Sequence, residues 1–190
     1  MKGRLCRLLA QALLLLPLAA VTGKAAPSLA QERAQLELAI KATYLYKFAG
    51  FVQWPAETFE SEKSPIRLCV IGRDPFGTLL PRAVEGQVLN DRPFSIQYLP
   101  VVMPNARCHI AYIAGSPRQA MGDILDMLKD RPVLTVTDGL RRMPAGSVIN
   151  FVVVDQHVRF EIDPRPAARK GLSISAKLMD VAVEVHGGGR

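Results

Sequence analysis

The chain has 190 residues, of which 49% are hydrophobic, and a formal net charge of +7 at pH 7. This length fits one domain of ordinary size, large enough to bury a substantial core. The basic residues are scattered rather than grouped in a stripe, which argues against a nucleic-acid-binding surface. We therefore expect a single folded domain with no nucleic acid among its partners.

The first residues have the pattern of a secretory signal peptide. A short basic start precedes an apolar run over residues 8–21, and small residues cluster over residues 19–26. The apolar run is too short for a stable transmembrane helix. We predict a cleaved leader over residues 1–25, with Gly23 and Ala25 as alternative cleavage positions. Cleavage after Gly23 leaves a net charge of +4, because it removes three basic residues, Lys2, Arg4 and Arg7, and keeps Lys24.

Helical and strand patterns alternate along the rest of the chain. Ser28 is placed to cap a long helix, and Asp155-Gln156 separates two strands that form a hairpin. The patterns predict helices at 29–51, 78–84, 117–129, 163–170 and 175–185, and strands at 66–72, 94–99, 109–114, 133–137, 148–154 and 157–162. This order predicts a single α/β domain over residues 26–186, with a mixed central sheet and helices on both faces. Residues 187–190 are expected to form a disordered tail.

Two cysteines, Cys69 and Cys108, remain after export, because Cys6 lies in the leader. An even pair in an exported protein is typical of a disulfide. Both lie in apolar, β-branched segments, IRLCVIG and RCHIAYIAG, so we expect the disulfide to join neighbouring strands. Closing a loop of about 40 residues stabilises the fold by about 4 kcal/mol in the chain-entropy model. Two thiols without other ligands nearby do not form a tetrahedral metal site, so no metal is expected.

The common catalytic and nucleotide-binding motifs, such as GxSxG, HExxH, the Walker sequence and GxGxxG, are absent from the sequence. The three histidines, His109, His157 and His186, are isolated along the chain. We therefore predict that the protein is not an enzyme and needs no cofactor.

The segment GRDPFG, Gly72–Gly77, lies between a predicted strand and a predicted helix. One interpretation is an anion site, in which backbone N–H groups and Arg73 bind a phosphate or carboxylate. The other is a tight turn begun by Asp74-Pro75, in which the glycines adopt special backbone angles. We favour the turn as its main role.

Three large aromatic residues lie around the end of the first predicted helix, in FVQWPAETF, Phe51–Phe59. Core packing is expected for Phe51, whereas Trp54 and Phe59 are either core residues or exposed interface anchors. We predict that the GRDPFG turn and this aromatic segment form one partner-binding surface at the rim of the sheet. Its candidate residues are Trp54, Phe59, Arg73, Asp74 and Phe76.

Four segments together resemble the YfiR-like family of periplasmic proteins. They occur in the family's order and cover nearly the whole exported chain: KATYLYKFAGFVQWP (41–55), PIRLCVIGRDPFG (65–77), PVLTVTDG (132–139), and VRFEID with GLSISAKLMDVA (158–163 and 171–182). Each segment alone is a weak signal, but four in order make a specific match.

The resemblance implies a periplasmic repressor that binds the periplasmic sensory part of an inner-membrane diguanylate cyclase, lowering cyclic-di-GMP and biofilm formation. It also implies a homodimer and an outer-membrane lipoprotein that sequesters the repressor. Family members carry redox-sensitive disulfides, and Cys69 and Cys108 match one cysteine pair; the second pair of the best-known members is absent here. The alternative function is a periplasmic sensor that holds a small anionic ligand at GRDPFG.

Overall fold

The computed structural model describes residues 28–187 of the chain. The leader predicted for residues 1–25, and residues 188–190 of the predicted tail, lie outside the described residues. The helices are α1 (Leu29–Phe48), α2 (Leu79–Val84), α3 (Met121–Met127), α4 (Pro164–Arg169) and α5 (Ala176–Met179). The strands are β1 (Val52–Gln53), β2 (Ile66–Ile71), β3 (Val88–Leu89), β4 (Arg92–Leu99), β5 (Ile110–Ile113), β6 (Leu134–Asp138), β7 (Ile149–Val154), β8 (His157–Ile162), β9 (Ser173–Ile174) and β10 (Glu184–Val185).

Helix α1 begins at the predicted cap. The Ser28 hydroxyl accepts from the Gln31 amide, and the Gln31 side chain accepts from the Ser28 amide at 2.8 Å, which completes a capping box. The last three residues predicted as helix form a 3₁₀ turn, Ala49–Phe51. The first half of α1 is exposed, and its apolar Leu36 is 62% exposed.

Eight strands form one mixed sheet, in the order β10, β8, β7, β6, β5, β2, β4, β3. The central five strands, β4, β2, β5, β6 and β7, run parallel, whereas β8 pairs antiparallel with β7 and β3 with β4. The hairpin predicted at Asp155-Gln156 is confirmed as the β7–β8 connection. Strands β1 and β9 form a separate two-stranded antiparallel sheet.

Helices cover both faces of the sheet, so the predicted α/β fold with a mixed sheet is confirmed. Inward residues of α1, α2, α4 and α5 pack on one face, including Leu45, Phe48, Leu80 and Leu178. On the opposite face α3 packs through its buried apolar side, which includes Ile124, Leu125 and, just after the helix, Leu128. No helix within residues 28–187 is long and apolar enough to cross a bilayer.

The helix predicted over residues 175–185 is wrong in its second half. Ser175 caps α5 as a helix start, but α5 ends at Met179. The chain then becomes β10, which lies parallel to β8 with Glu184 opposite Glu161. His186 is also held, because its amide donates to the Ile162 carbonyl at 2.7 Å. The C-terminal segment therefore completes the edge of the sheet.

Candidate functional surfaces at the two ends of the sheet

The predicted partner surface is divided between the two ends of the parallel strands. Trp54 lies at the start of β5, where its indole N–H donates to the His109 carbonyl at 3.3 Å. Arg73 follows the end of β2, and its amide donates to the Gly115 carbonyl beyond the end of β5. A six-residue strand spans roughly 17–20 Å. The two halves of the predicted surface therefore lie at opposite ends of the sheet, separated by the length of β2.

GRDPFG forms a tight turn at the carboxyl ends of the strands. Gly72 has a positive φ of 97°, and a β-carbon there would overlap the Gly115 carbonyl oxygen. The Asp74 carboxylate accepts from the amides of Phe76 at 2.8 Å and Gly77 at 3.1 Å. An anion site would need those N–H groups as donors, but they already donate to the Asp74 carboxylate.

The candidate residues of this turn differ in accessibility. Arg73 is exposed, Asp74 is half-buried, and Phe76 is only 3% exposed. The Phe76 ring packs edge-on against Tyr112, with ring centroids 4.8 Å apart. Phe76 therefore anchors the turn in the core and does not present a surface to a partner.

Tyr98 is a surface residue at this end that the sequence analysis did not identify. It lies near the end of β4 and is 46% exposed. Partial burial, and then the nearby Asp74 carboxylate, raise the pKa of its hydroxyl. Arg and Tyr are residue types enriched at the centres of interfaces. The Gly72 amide donates to the carbonyl of Leu99, the neighbour of Tyr98, at 2.9 Å, which places the end of β4 beside the turn.

A buried polar network lies behind the turn. Lys41 is 4% exposed and bonds Glu37 at 2.5 Å and Asp138 at 2.7 Å. The Tyr112 hydroxyl donates to the other Asp138 oxygen at 2.7 Å. Burial, and then the Asp138 charge, raise the pKa of Tyr112, which keeps this hydroxyl protonated. Because each group has a partner, the network holds α1 and the ends of β5 and β6 in one arrangement.

This end of the sheet contains a topological switch point. The chain leaves β2 through α2 toward β4, and it leaves β5 through α3 toward β6 on the other side. In open α/β sheets, ligands bind in the crevice between two such strands. Here the side chains of Phe76 and Tyr112 pack together beside that crevice, and Gly72 lies close against Gly115. The geometry therefore favours contact with an external partner over enclosure of a small ligand.

The aromatic residues at the other end form a packed cluster around His109. The Phe59 ring stacks on His109 at 4.5 Å, and the Arg92 guanidinium lies 3.9 Å from the Phe59 centroid on its face. Trp54 and Phe59 are half-buried, whereas Phe51, expected in the core, is 37% exposed. Trp54 therefore has both a packing role and an accessible part.

His109 is a structural histidine. It is 2% exposed, and its Nδ1 accepts from the Arg67 amide at 2.8 Å. Burial is the main cause that lowers the pKa of His109 to about 4, so the ring is neutral at pH 7. The neutral His109 ring accepts this hydrogen bond and thereby links the starts of β2 and β5.

The predicted disulfide between Cys69 and Cys108 is present. Their Cα atoms are 5.8 Å apart, and the two residues are 0% and 5% exposed. Cys69 lies within β2, and Cys108 lies just before β5, the parallel neighbour of β2. The bond therefore joins adjacent strands on the face that α3 covers.

Comparison with known protein families gives a match over most of the chain. The family model described as YfiR/HmsC-like matches residues 38–183. The match includes all four segments that carry the resemblance, both cysteines and the GRDPFG turn. No curated protein matches the chain. The family is regulatory rather than catalytic, and the chain belongs to the YfiR/HmsC-like family.

Proposed function

We propose that this protein represses an inner-membrane diguanylate cyclase by binding its periplasmic sensory part, which lowers cyclic-di-GMP and biofilm formation. The observation that carries the proposal is the family match over residues 38–183, which supports a periplasmic regulator of diguanylate cyclase at family level. Repression requires only that the protein bind one cyclase conformation better than another. A regulator of this kind acts through a surface and needs no catalytic group.

We place the cyclase-binding surface at the carboxyl ends of the parallel strands, around Arg73 and Tyr98. Arg73 is exposed and lies in a turn that Asp74 and Gly72 fix in place. A guanidinium on a rigid turn loses little freedom when it bonds a partner carboxylate, and the exposed part of Tyr98 supplies apolar area beside it. Trp54 and Phe59 remain a second, separate candidate surface at the other end of the sheet.

The small-ligand sensor is the weaker alternative. It relied on backbone donors in GRDPFG, and the Asp74 carboxylate accepts from two of them. Arg73 alone does not make a selective anion site, because an anion there would face Asp74 as well.

The proposal also includes a homodimer and sequestration by an outer-membrane lipoprotein. Exposed apolar side chains support self-association: Leu36 and Val153, 62% and 52% exposed, line one groove of 580 Å³ between α1 and the β7–β8 hairpin. Sedimentation of the purified chain as a monomer at all accessible concentrations would contradict the homodimer.

The test compares two arginine variants in a strain that makes the cognate cyclase. Gene deletion should raise cyclic-di-GMP, and Arg73→Ala should fail to restore repression although the protein accumulates normally. Arg107→Ala is the matched control, because it removes the same charge from an exposed side chain at the other end of the sheet. It should repress as the unmodified chain does.

Two results would contradict different parts of the proposal. Unchanged cyclic-di-GMP after gene deletion would reject repression itself. Full repression by Arg73→Ala at normal abundance would reject only this surface, and Trp54 would then be tested.

A further inference from the structure

A cluster of three potential metal ligands lies at the β8–β10 edge, away from both surfaces described above. It consists of Glu161 on β8, Glu184 on β10 and His186 just after β10. One ligand atom from each residue lies within 4.8 Å of the other two. We propose that these residues form a binding site for a divalent transition-metal ion of the Zn²⁺ class.

The backbone brings the three side chains together. Glu184 is the registered partner of Glu161 in the parallel β8–β10 pair, and Glu184 and His186 are two residues apart. Side chains at such positions point to one side of a strand. The His186 amide donates to the Ile162 carbonyl at 2.7 Å, which fixes the imidazole beside the carboxylates. The site is therefore built on paired strands.

A cation between the two carboxylates would stabilise this edge of the sheet. Like charges directly opposite each other on neighbouring strands repel. Within residues 28–187 the ion-pair contacts of both carboxylates are with His186, and Asn150 adds one long hydrogen bond of 3.4 Å to Glu161. The nearby Arg165 forms two bonds with Asp163, at 2.9 and 2.7 Å, and is already paired. A bound metal would neutralise this pair of negative charges.

The imidazole provides the second, independent observation. His186 Nε2 is buried and has no hydrogen-bond partner among the described residues. A buried ring nitrogen without a partner loses its hydration without compensation. A metal bonded to this nitrogen would satisfy it, and the donor type is the one that transition metals prefer.

The distances suit a small ion after a modest movement of one side chain. His186 Nε2 lies 3.5 Å from Glu161 Oε2, and tetrahedral ligands at about 2.1 Å from a metal stand about 3.4 Å apart. Glu184 Oε1 lies 3.3 Å from the other ring nitrogen, Nδ1, and the Glu184 side chain is 60% exposed, so its carboxylate has to turn to reach the same point. A groove lined by His186, Asp163 and Arg142 reaches the cluster and gives water access as a fourth ligand.

The choice of ion follows from the ligand set. One imidazole nitrogen with two carboxylate oxygens suits Zn²⁺, whereas Mg²⁺ and Ca²⁺ favour oxygen ligands alone. The arginines of the groove weaken attraction for any cation, so specific coordination must supply the affinity. Zn²⁺ is therefore the probe, and Mg²⁺ is the contrast.

The experiment titrates ZnCl₂ into the untagged exported chain, freed of metal with a chelator, and follows heat and thermal stability. We expect one Zn²⁺ per chain, a higher melting temperature and no response to MgCl₂. His186→Gln and Glu184→Gln should each weaken Zn²⁺ binding at least tenfold. Glu184 is exposed, so its variant should fold even if His186→Gln does not. His157→Gln, which changes an exposed histidine at the β7–β8 turn, is the matched control and should bind as the unmodified chain does.

Two results would overturn the proposal. The first is no Zn²⁺ binding by the unmodified chain. The second is equal loss of binding in the His157→Gln control.

Discussion

The two faces of the central sheet are stabilised in different ways. The face under α1, α2, α4 and α5 holds the larger apolar cluster, in which Phe48 packs on Phe151 at 5.7 Å and on Phe160 at 5.1 Å. The face under α3 holds a smaller cluster that contains the disulfide. Hydroxyl and amide groups also cover part of this second face, where Thr137 bonds Ser147 and Asn150, each at 3.0 Å.

The comparison indicates how helices are held against each face of the sheet. Apolar area and aromatic packing are sufficient on the first face, because a long helix crosses several strands there. A seven-residue helix covers less area, so the second face adds a covalent bond and a saturated hydrogen-bond network. We therefore expect the first face to be sensitive to side-chain volume and the second to redox state.

The largest expected effect comes from removing volume on the first face. Phe48→Ala should lower the free energy of unfolding by about 3–5 kcal/mol, because Phe48 is 1% exposed and central to the aromatic cluster. Phe51→Ala is the control: it removes the same ring three residues later, where it is 37% exposed, and should cost within about 1 kcal/mol. Urea unfolding of both variants measures the difference, and equal costs would contradict it.

The disulfide should give the next largest effect. Replacing both Cys69 and Cys108 by Ser should lower the free energy of unfolding by about 2–4 kcal/mol, since an open chain has more unfolded conformations. The unmodified chain should lose a similar amount in dithiothreitol, whereas the double variant should not respond. A reductant-sensitive double variant, or two titratable thiols in the exported protein under denaturing conditions, would contradict the bond.

Acid should lower the stability of the fold through the buried His109. The pKa of His109 is about 4 in the folded chain, against about 6.5 unfolded, so the unfolded state binds a proton first as the pH falls. The contribution of His109 to the free energy of unfolding is fully present above pH 6.5 and falls by about 3 kcal/mol between pH 6.5 and 4. Below pH 4 it changes no further.

The matched variant for this effect is His109→Asn. Its side-chain oxygen can take the place of Nδ1 as acceptor for the Arg67 amide, but it does not titrate. Unfolding measured from pH 7 to pH 4 should show a shallower decline for the variant than for the unmodified chain. Parallel curves would exclude His109 as the cause.

Local patterns were sufficient for most of the fold. Ser28 caps α1 as predicted, Asp163 caps the helix that was predicted to begin there, and the hairpin lies at Asp155-Gln156. The last helix was predicted too long because residues 180–185 fit a helical stripe, while their actual partner is β8. Pairing with a distant strand outweighs local preference at such a position. The same applies to β1 and β9, two-residue strands that exist only as a pair.

Parts of the candidate site could not be predicted from local sequence patterns. Strand direction places residues directly before and after β2 at opposite ends of the sheet. Trp54 lies twelve residues before β2, so its position depends on its contact with His109 at the start of β5. The burial of Phe76 was not predictable either, because it depends on Tyr112, 36 residues away on another strand. The Glu161, Glu184 and His186 cluster likewise depends on the β8–β10 register, which no local pattern indicates.

The β7–β8 hairpin also bears on the order in which the chain folds. Its two turn residues both have positive φ, 49° at Asp155 and 63° at Gln156, the backbone of a type I′ turn. Pairs such as Val154 with His157 are neighbours in sequence and can form within microseconds, whereas β2 pairs with β4 only after a long loop closes. We expect β7 and β8 to seed the sheet, with β6, β5 and β2 added in turn. Cys69 and Cys108 would then come into bonding distance late, when most of the sheet already holds them in register.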